Sequence, residues 1–463
     1  MKTTLCGIVL ACFSAFSYAQ TNGGGTTSQP ETAKLQSQIR GGRAKNIILF
    51  IGDGMGDSEI TAARNYQAGA SGRLAMDLLP FTGSVTTYAL QENDPSKPDY
   101  VTDSAAGGTA WATGQKTSNG RISTSAKTDK PLKTILELAK ELGYRTGNVS
   151  TAELSDATPA VLGAHVNSRR CQGPADMKDC EKYRKASGGP GSIAEQLVDH
   201  KIDVLLGGGK QRFDQVIDGG PDEGKRVIDS AETQGYKVIT TSTELSQVQL
   251  NSQQRLLGLF NAGNMSMEWT GEPAIVYPGS GPQKCKEFVR PANEPSLFSM
   301  TLKAIQLLQT TDQKAAGFFL QVEGAQIDKR AHTAQPCEQI GETIAFDNAI
   351  KLALDWAGEH PDTLIIVTAD HGHSTQIVPE PKPEDHSGGL MSTLITADKA
   401  NMTLLYATNS VCCAAQHSME HTGTQVRIAA QGPQAFRLLG VHDMAEVFRL
   451  MAQAMGARGE YRF

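Results

Sequence analysis

The chain has 463 residues and a net charge of −6, with charged residues at 20% and 47 glycines. That length supports a large core, in one α/β sheet or in two or three domains. The composition excludes a disordered chain, and no basic cluster offers the electrostatic footprint of a nucleic-acid binder.

Met1-Lys2 gives a short positive start, residues 5–16 are apolar, and Ser17-Tyr18-Ala19 is a small-x-small cleavage pattern. Residues 1–19 therefore read as a signal peptide, with Gln20 as the mature start. The apolar run is shorter than the roughly 20 residues a membrane span needs, so no transmembrane segment is expected in the mature chain. Val9-Leu10-Ala11-Cys12 loosely matches a lipoprotein signal, but the apolar stretch before Cys12 is very short. Residues 20–42, rich in Gly, Thr, Ser and Gln, read as a flexible segment. They leave 43–463 as a single domain. Six cysteines follow the signal: Cys171, Cys180, Cys285, Cys337, Cys412 and Cys413. An even count in an exported chain suggests disulfides. Spacing leaves the pairing open, although Cys171 and Cys180 are near enough to close a small loop.

Residues 47–51 form a β-branched apolar run followed at once by Gly52-Asp53-Gly54. A dinucleotide fingerprint fails here, because its third glycine falls on Asp57, an anion where pyrophosphate would approach. An acidic residue at a strand end suits a cation; alone, Asp53 reads equally well as a turn aspartate. Ser104 precedes Ala105-Ala106-Gly107-Gly108, small residues able to form a close-packed helix. A serine at a helix N-terminus faces free N–H groups, a natural phosphate site. The commoner role of such a serine is a plain N-cap. No G-x-S-x-G elbow is present, so a nucleophilic Ser104 needs activation by a metal.

A helix is expected over 131–143, with Pro131 in the first turn and Gly143 at C′. A strand follows at 144–149, leading to Glu153 and Asp156. Helical periodicity marks 192–199, and a strand at 202–206 runs into Gly207-Gly208-Gly209. Helices are expected near 300–308, 342–358 and 443–455, and a strand at 425–429. The strand at 318–322 delivers Glu323, then Asp328 and His332, whose i, i+4 spacing puts both on one helix face. In isolation that pair also suits a surface ion pair. The strand at 364–367 delivers Asp370 and His371, with His373 placed to orient another ligand. Residues 378–420 read as an irregular peripheral hairpin or crown. The alternation gives a doubly wound, mostly parallel sheet with helices on both faces, whose ligand lies beyond the carboxyl ends of the strands. Carboxylate and imidazole donors suit zinc and magnesium and not an iron–sulfur or haem centre.

From about residue 44 onward the chain resembles the bacterial alkaline phosphatases of the enterobacterial periplasmic type. The resemblance is densest over 45–65, 99–114, 146–171, 317–328 and 363–371, with Glu420-His421-Thr422-Gly423 later. It implies hydrolysis of phosphate monoesters of broad leaving-group range, through a phosphoserine on Ser104, with phosphoryl transfer to alcohols. It implies that Arg169 clamps phosphate and that Lys329 contacts it through water. It implies two zinc ions and one magnesium per chain. Asp328, His332 and His421 would hold one zinc, and Asp370 and His371 the second. Asp53 would bridge toward a magnesium held by Asp156, Thr158 and Glu323. It also implies the disulfides Cys171–Cys180 and Cys285–Cys337, a homodimer and a periplasmic location. Two departures stand out. Ala331 replaces the family's aspartate, and Cys412-Cys413, followed by His417, has no counterpart. The alternatives are a phosphodiesterase or sulfatase of the same superfamily, and a periplasmic phosphate- or zinc-binding protein without turnover. The sulfatase signature is absent around Ser104.

Overall fold

A computed structural model describes residue 36 and residues 38–251, 253–309, 315–382, 388–409 and 418–457. The expectations for the signal peptide, for Cys12, and for Cys412, Cys413 and His417 lie outside the described residues. The architecture is that of the unit Gln38–Phe463.

Ten strands build the central sheet: β1 (Asn46–Gly52), β2 (Phe81–Thr86), β3 (Tyr144–Glu153), β4 (Val204–Gly208), β5 (Tyr236–Ile239), β6 (Arg255–Leu259), β7 (Gly317–Gly324), β8 (Thr363–Thr368), β9 (Val426–Gln431) and β10 (Gly440–Asp443). Their order across the sheet is β10-β2-β9-β8-β1-β7-β3-β4-β6-β5. Only β9 runs against its neighbours β8 and β2; the other pairs are parallel. The central strands are buried along their length. This explains why they read as continuous apolar runs and not as alternating ones.

Helices cover both faces. Leu320 of β7 meets Leu308 of α5 (Leu297–Leu308) over Gly147. The next residue, Gln321, turns to the opposite face and donates to the Thr158 carbonyl at 3.2 Å, as the two-residue period of a strand requires. Phe50 of β1 packs edge-on against Phe346, ring centres 5.8 Å apart. Phe346 lies on the 24-residue helix α7 (Pro336–Glu359).

Register decides where the chemistry falls. Gly52 pairs with Gly324, and Ile51 with both Glu323 and Thr368. Glu323 itself pairs with Ser150. The strands bearing Asp53, Glu323 and Asp370 therefore end side by side at one edge of the sheet.

Three expectations need correction. The helix placed over 131–143 is α3 (Ile135–Glu141). Thr134 caps it, accepting from the Glu137 N–H while Glu137 accepts from the Thr134 N–H. That reciprocal capping box fixes the start, and Pro131 stands outside it. Gly143, at φ 80°, does close it. The helix expected at 342–358 begins earlier, at Pro336, a residue suited to a first turn. The stretch 378–420 is less irregular than its composition suggests. Leu390–Ile395 and Asn401–Tyr406 pair antiparallel, and Thr375–Val378 and Ser280–Gln283 complete a four-stranded sheet around them. Among the described residues no helix is long and apolar enough to cross a membrane.

Candidate active site and metal centre

Ser104 opens α2 (Ser104–Thr113), a helix buried along its whole length. The N-cap is Asp103, whose Oδ1 accepts from the Ala106 N–H at 2.9 Å. Ser104 is thus the first helical residue and not the cap, and its hydroxyl is free for other partners. Its Oγ stands 3.3 Å from Asp53 Oδ1 and 3.2 Å from His371 Nε2. Gly107 brings the helix this close, since a Cβ there would sit 2.7 Å from the Asp370 carbonyl oxygen.

Two groups of donors converge beside Ser104. One holds Asp328, His332, His373 and His421; the other holds Asp53, Asp370 and His371. Asp328 and His332 lie on α6 (Gln326–His332), as the i, i+4 spacing implies. Hydrogen bonds sort the imidazoles. His332 Nδ1 faces the Met419 carbonyl, His421 Nδ1 the Thr102 carbonyl at 3.0 Å, and His371 Nδ1 the Gly372 carbonyl at 3.2 Å. A carbonyl only accepts, so each Nδ1 carries a proton and each Nε2 is the atom turned toward the site. His332 Nε2 and His421 Nε2 then face each other at 3.1 Å, with Asp328 Oδ1 3.4 Å and 3.3 Å away. His373 differs. Its Nδ1 accepts from the Ser374 N–H at 2.8 Å, so Nε2 carries the proton and points it at Asp328 Oδ1, 3.2 Å away. The Nε2 of His373 therefore faces Asp328 with its proton and not with a lone pair.

These residues fit divalent cations. Lone pairs and carboxylate oxygens packed at 3.1–3.4 Å repel one another unless a proton or a metal lies between them. Asp370 Oδ2 and Thr158 Oγ1 are buried and lack a hydrogen-bond partner, an expensive state for a polar atom. Nitrogen and oxygen donors in this ratio suit zinc.

The third expected set is only partly assembled. Asp53 N–H donates to the Gly324 carbonyl at 3.3 Å, and the Ser150 hydroxyl donates to Glu323. Thr158, two residues beyond Asp156, is buried. The Asp156 carboxylate, however, is taken by Arg169 at 2.9 Å and Lys329 at 2.7 Å. Arg169 also pairs with Asp103 at 3.2 Å. Asp103 therefore caps the serine helix and holds the arginine at once. Sequence reasoning passes over it; its place just before a run of small helical residues is the available signal. The disulfide Cys171–Cys180 fastens the chain two residues beyond Arg169, and Cys285–Cys337 ties down the start of α7.

Charge crowding shows in the carboxyls. Burial, reinforced by Asp370, Asp328 and Glu323, pushes Asp53 well above the usual carboxylate range. Burial raises Asp370 to about 6 and Glu323 to about 8. Burial acts against the charge on Asp328 too, but His373 and His421 hold it well below the ordinary value. Burial and the neighbouring His421 keep His371 neutral. His421 is opposed by burial yet raised to about 9 by Asp328. Ala331 is fully buried, so solvent does not reach that position.

A family model described as alkaline phosphatase matches residues 44–419. The chain is 50% identical to a streptomycin-6-phosphate phosphatase of Streptomyces griseus, over 90% of this chain and 91% of that protein. It is 47% identical to an alkaline phosphatase of Escherichia coli K12, over 92% and 89%. Among solved structures it resembles an alkaline phosphatase of Thermus thermophilus at TM-score 0.66 and 25% identity, covering 94% and 96% of the two chains.

Proposed function

The chain belongs to the alkaline phosphatase family and hydrolyses phosphate monoesters; we propose that it does so by attack of the Ser104 hydroxyl on phosphorus. The observation that carries this reading is the position of Ser104 Oγ, at a helix start and within 3.3 Å of both Asp53 and His371. Arg169 would grip two phosphoryl oxygens through its planar fork, and Lys329 would add charge from the side of Asp156. Asp103 and Asp156 hold both cations in the site before substrate arrives, which lowers the ordering cost of binding.

Two zinc ions fit the donor sets Asp328, His332, His421 and Asp53, Asp370, His371; one magnesium would be held by Thr158 and Glu323 beside Asp53, with Asp156 joining them only on release from Arg169 and Lys329. When bound, these cations would supply Lewis acidity that favours the Ser104 alkoxide and offsets charge on the departing oxygen. The serine oxygen forms a bond to phosphorus as the ester oxygen leaves, giving phosphoserine and an alcohol. Water then attacks phosphorus and releases Ser104 and phosphate; an added alcohol in place of water gives phosphoryl transfer. Every group named here addresses the phosphoryl end, which supports broad tolerance of the leaving alcohol. The two differently named relatives are compatible with that breadth. The signal-like residues 1–19 and the two disulfides support export to the periplasm, since disulfides persist in oxidising compartments. A homodimer is proposed from the family.

Nitrophenyl phosphate, the bis-ester and the sulfate would be compared with the unmodified chain and with Ser104→Ala. The monoester should dominate, and Ser104→Ala should lose at least about a thousandfold in turnover while still binding phosphate. Each displacement inverts phosphorus, so a chiral monoester should react with net retention. Net inversion by the unmodified chain would remove the phosphoserine step.

A further inference from the structure

A third cluster of donors lies apart from the active site and shares no residue with it: Glu137, His165 and His200. Glu137 belongs to the capping box of α3, and its Oε2 accepts the Thr134 N–H at 2.8 Å. Its other oxygen, Oε1, faces His165 Nε2 at 3.1 Å and His200 Nε2 at 3.0 Å. Both imidazoles are fixed from behind. His165 Nδ1 points at the Ser123 carbonyl at 2.9 Å, and His200 Nδ1 at the Gln196 carbonyl, also at 2.9 Å. Each Nδ1 therefore carries a proton, and the two Nε2 atoms converge on one carboxylate oxygen. Gln196 braces the pair, because its Oε1 also accepts the His165 backbone N–H at 2.8 Å.

We propose that Glu137, His165 and His200 form a separate divalent-cation site, of the kind that takes Zn2+ or its neighbours Cu2+ and Ni2+. All three donor atoms lie within 4.8 Å of one another. The nitrogen–oxygen separations of 3.0 and 3.1 Å are those of two ligands that share a cation at about 2.0–2.2 Å. Two imidazoles and one carboxylate leave a fourth position open, the donor set of a catalytic-type zinc and not of a closed structural one. Carbonyls behind each Nδ1 supply the orientation that metal-bound histidines require. Oxygen-preferring magnesium and calcium are disfavoured by two nitrogens.

The three residues line a surface cleft of about 420 Å3, shared with Lys133, Lys140 and Glu141. Lys133 Nζ pairs with Glu141 at 2.8 Å, and Lys140 Nζ binds the carbonyls of His200 and Lys201. The ligands come from three separate segments, and His165 lies four residues before Arg169. A bound ion would therefore tie α3 and the end of α4 (Ile193–Asp199) to the segment that carries the phosphate-binding arginine.

The competing state is a carboxylate held between two protonated imidazoles, without metal. Zinc content decides between them. The full chain, with its active-site metals in place, would be equilibrated in zinc-buffered solution beside His200→Ala and Glu137→Gln, and bound metal counted by mass spectrometry. Glu137→Gln keeps an acceptor for the Thr134 N–H, so the cap survives while the anionic ligand is lost. The unmodified chain should hold one zinc per chain more than each variant, with equal turnover of nitrophenyl phosphate in all three. Since a partner outside the ligand set already costs about ten- to a hundredfold in metal affinity, losing a ligand should cost at least tenfold. Zinc added beyond active-site saturation should raise the thermal midpoint of the unmodified chain alone. Equal zinc content in the three proteins overturns the site and leaves the imidazolium pair.

Discussion

At the scale of single residues, Asp103 carries two duties that different substitutions separate. Its Oδ1 caps α2, while Oδ2 accepts from the Gly120 N–H at 3.0 Å and pairs with Arg169 at 3.2 Å. Asp103→Ala removes both, so stability should fall by about 1 kcal/mol for the lost cap and phosphate should inhibit less strongly as Arg169 loses an anchor. Asp103→Asn keeps a cap acceptor but loses the ion pair. It also gives up the acceptor for the Gly120 N–H, so its thermal midpoint should fall less than that of Asp103→Ala while phosphate inhibition still weakens. Equal inhibition constants across all three would show that Asp103 does not hold Arg169 for substrate. Ala331 makes a different case. At an exposed position salt would shrink the effect of a charge, but this residue is fully buried. Ala331→Asp must take a carboxylate out of water, so unfolding should become easier by roughly 1–3 kcal/mol. Phosphate inhibition should also weaken, and high salt should do little to restore it, because a buried charge is screened poorly. Tighter phosphate binding by Ala331→Asp would refute the electrostatic reading.

At the scale of elements, α2 shows why a helix with two interior glycines is tolerated. Each glycine costs up to about 1 kcal/mol of helix stability relative to alanine. At Gly107 the return is contact: a methyl group would press to 2.7 Å from the Asp370 carbonyl oxygen. Gly107→Ala should therefore gain nothing from better propensity. It should push Ser104 away from His371 and lower turnover at least tenfold, since an ångström-scale misplacement costs about a hundredfold. Unchanged turnover, measured at saturating substrate, would show that the helix has room to shift. The elements legible in the sequence are those with one dominant signal. Central strands β1, β7 and β8 are buried on both faces and stand out as apolar runs, and each leads into the acidic residue that marks the site. The strands β2, β5 and β10 escape such reading because they are short and partly exposed, so their pattern is shared with loops. The capping box at Thr134 is written in the sequence, but Pro131 competes with it as a start signal. Asp328 and His332 are readable through helical spacing. Glu137, His165 and His200 are not, because folding alone brings three distant segments together.

At the scale of the whole molecule, the sheet edge concentrates more negative charge than the fold can hold unaided, and this ties stability to metal and to pH. In the metal-free chain Asp370 is raised from 3.8 to about 6 and Glu323 from 4.5 to about 8, both chiefly by burial. A raised carboxyl keeps its proton in the fold after the unfolded chain has released it. Between the ordinary and the folded values the unfolded state therefore binds fewer protons, and stability falls as pH rises. The contribution is complete below about pH 4 and is lost by about pH 8. His421, raised from 6.5 to about 9, adds to the same trend, full below 6.5 and lost as pH passes 9. Asp328 and Asp156 are held low and titrate only in acid, outside this window. His371 and His373, held below the ordinary histidine value, act with the opposite sign up to about pH 6.5, so the thermal midpoint of the chelated chain should decline from about pH 6.5 to about pH 9. Cations reverse the logic, because the ionised carboxylates and the neutral imidazole are the forms that bind them. Zinc and magnesium should raise the midpoint most at alkaline pH and flatten the slope. They would thereby neutralise the charge that strains the apo fold. Parallel midpoint–pH curves for the chelated and reloaded protein would show that these carboxylates are not where the metals bind.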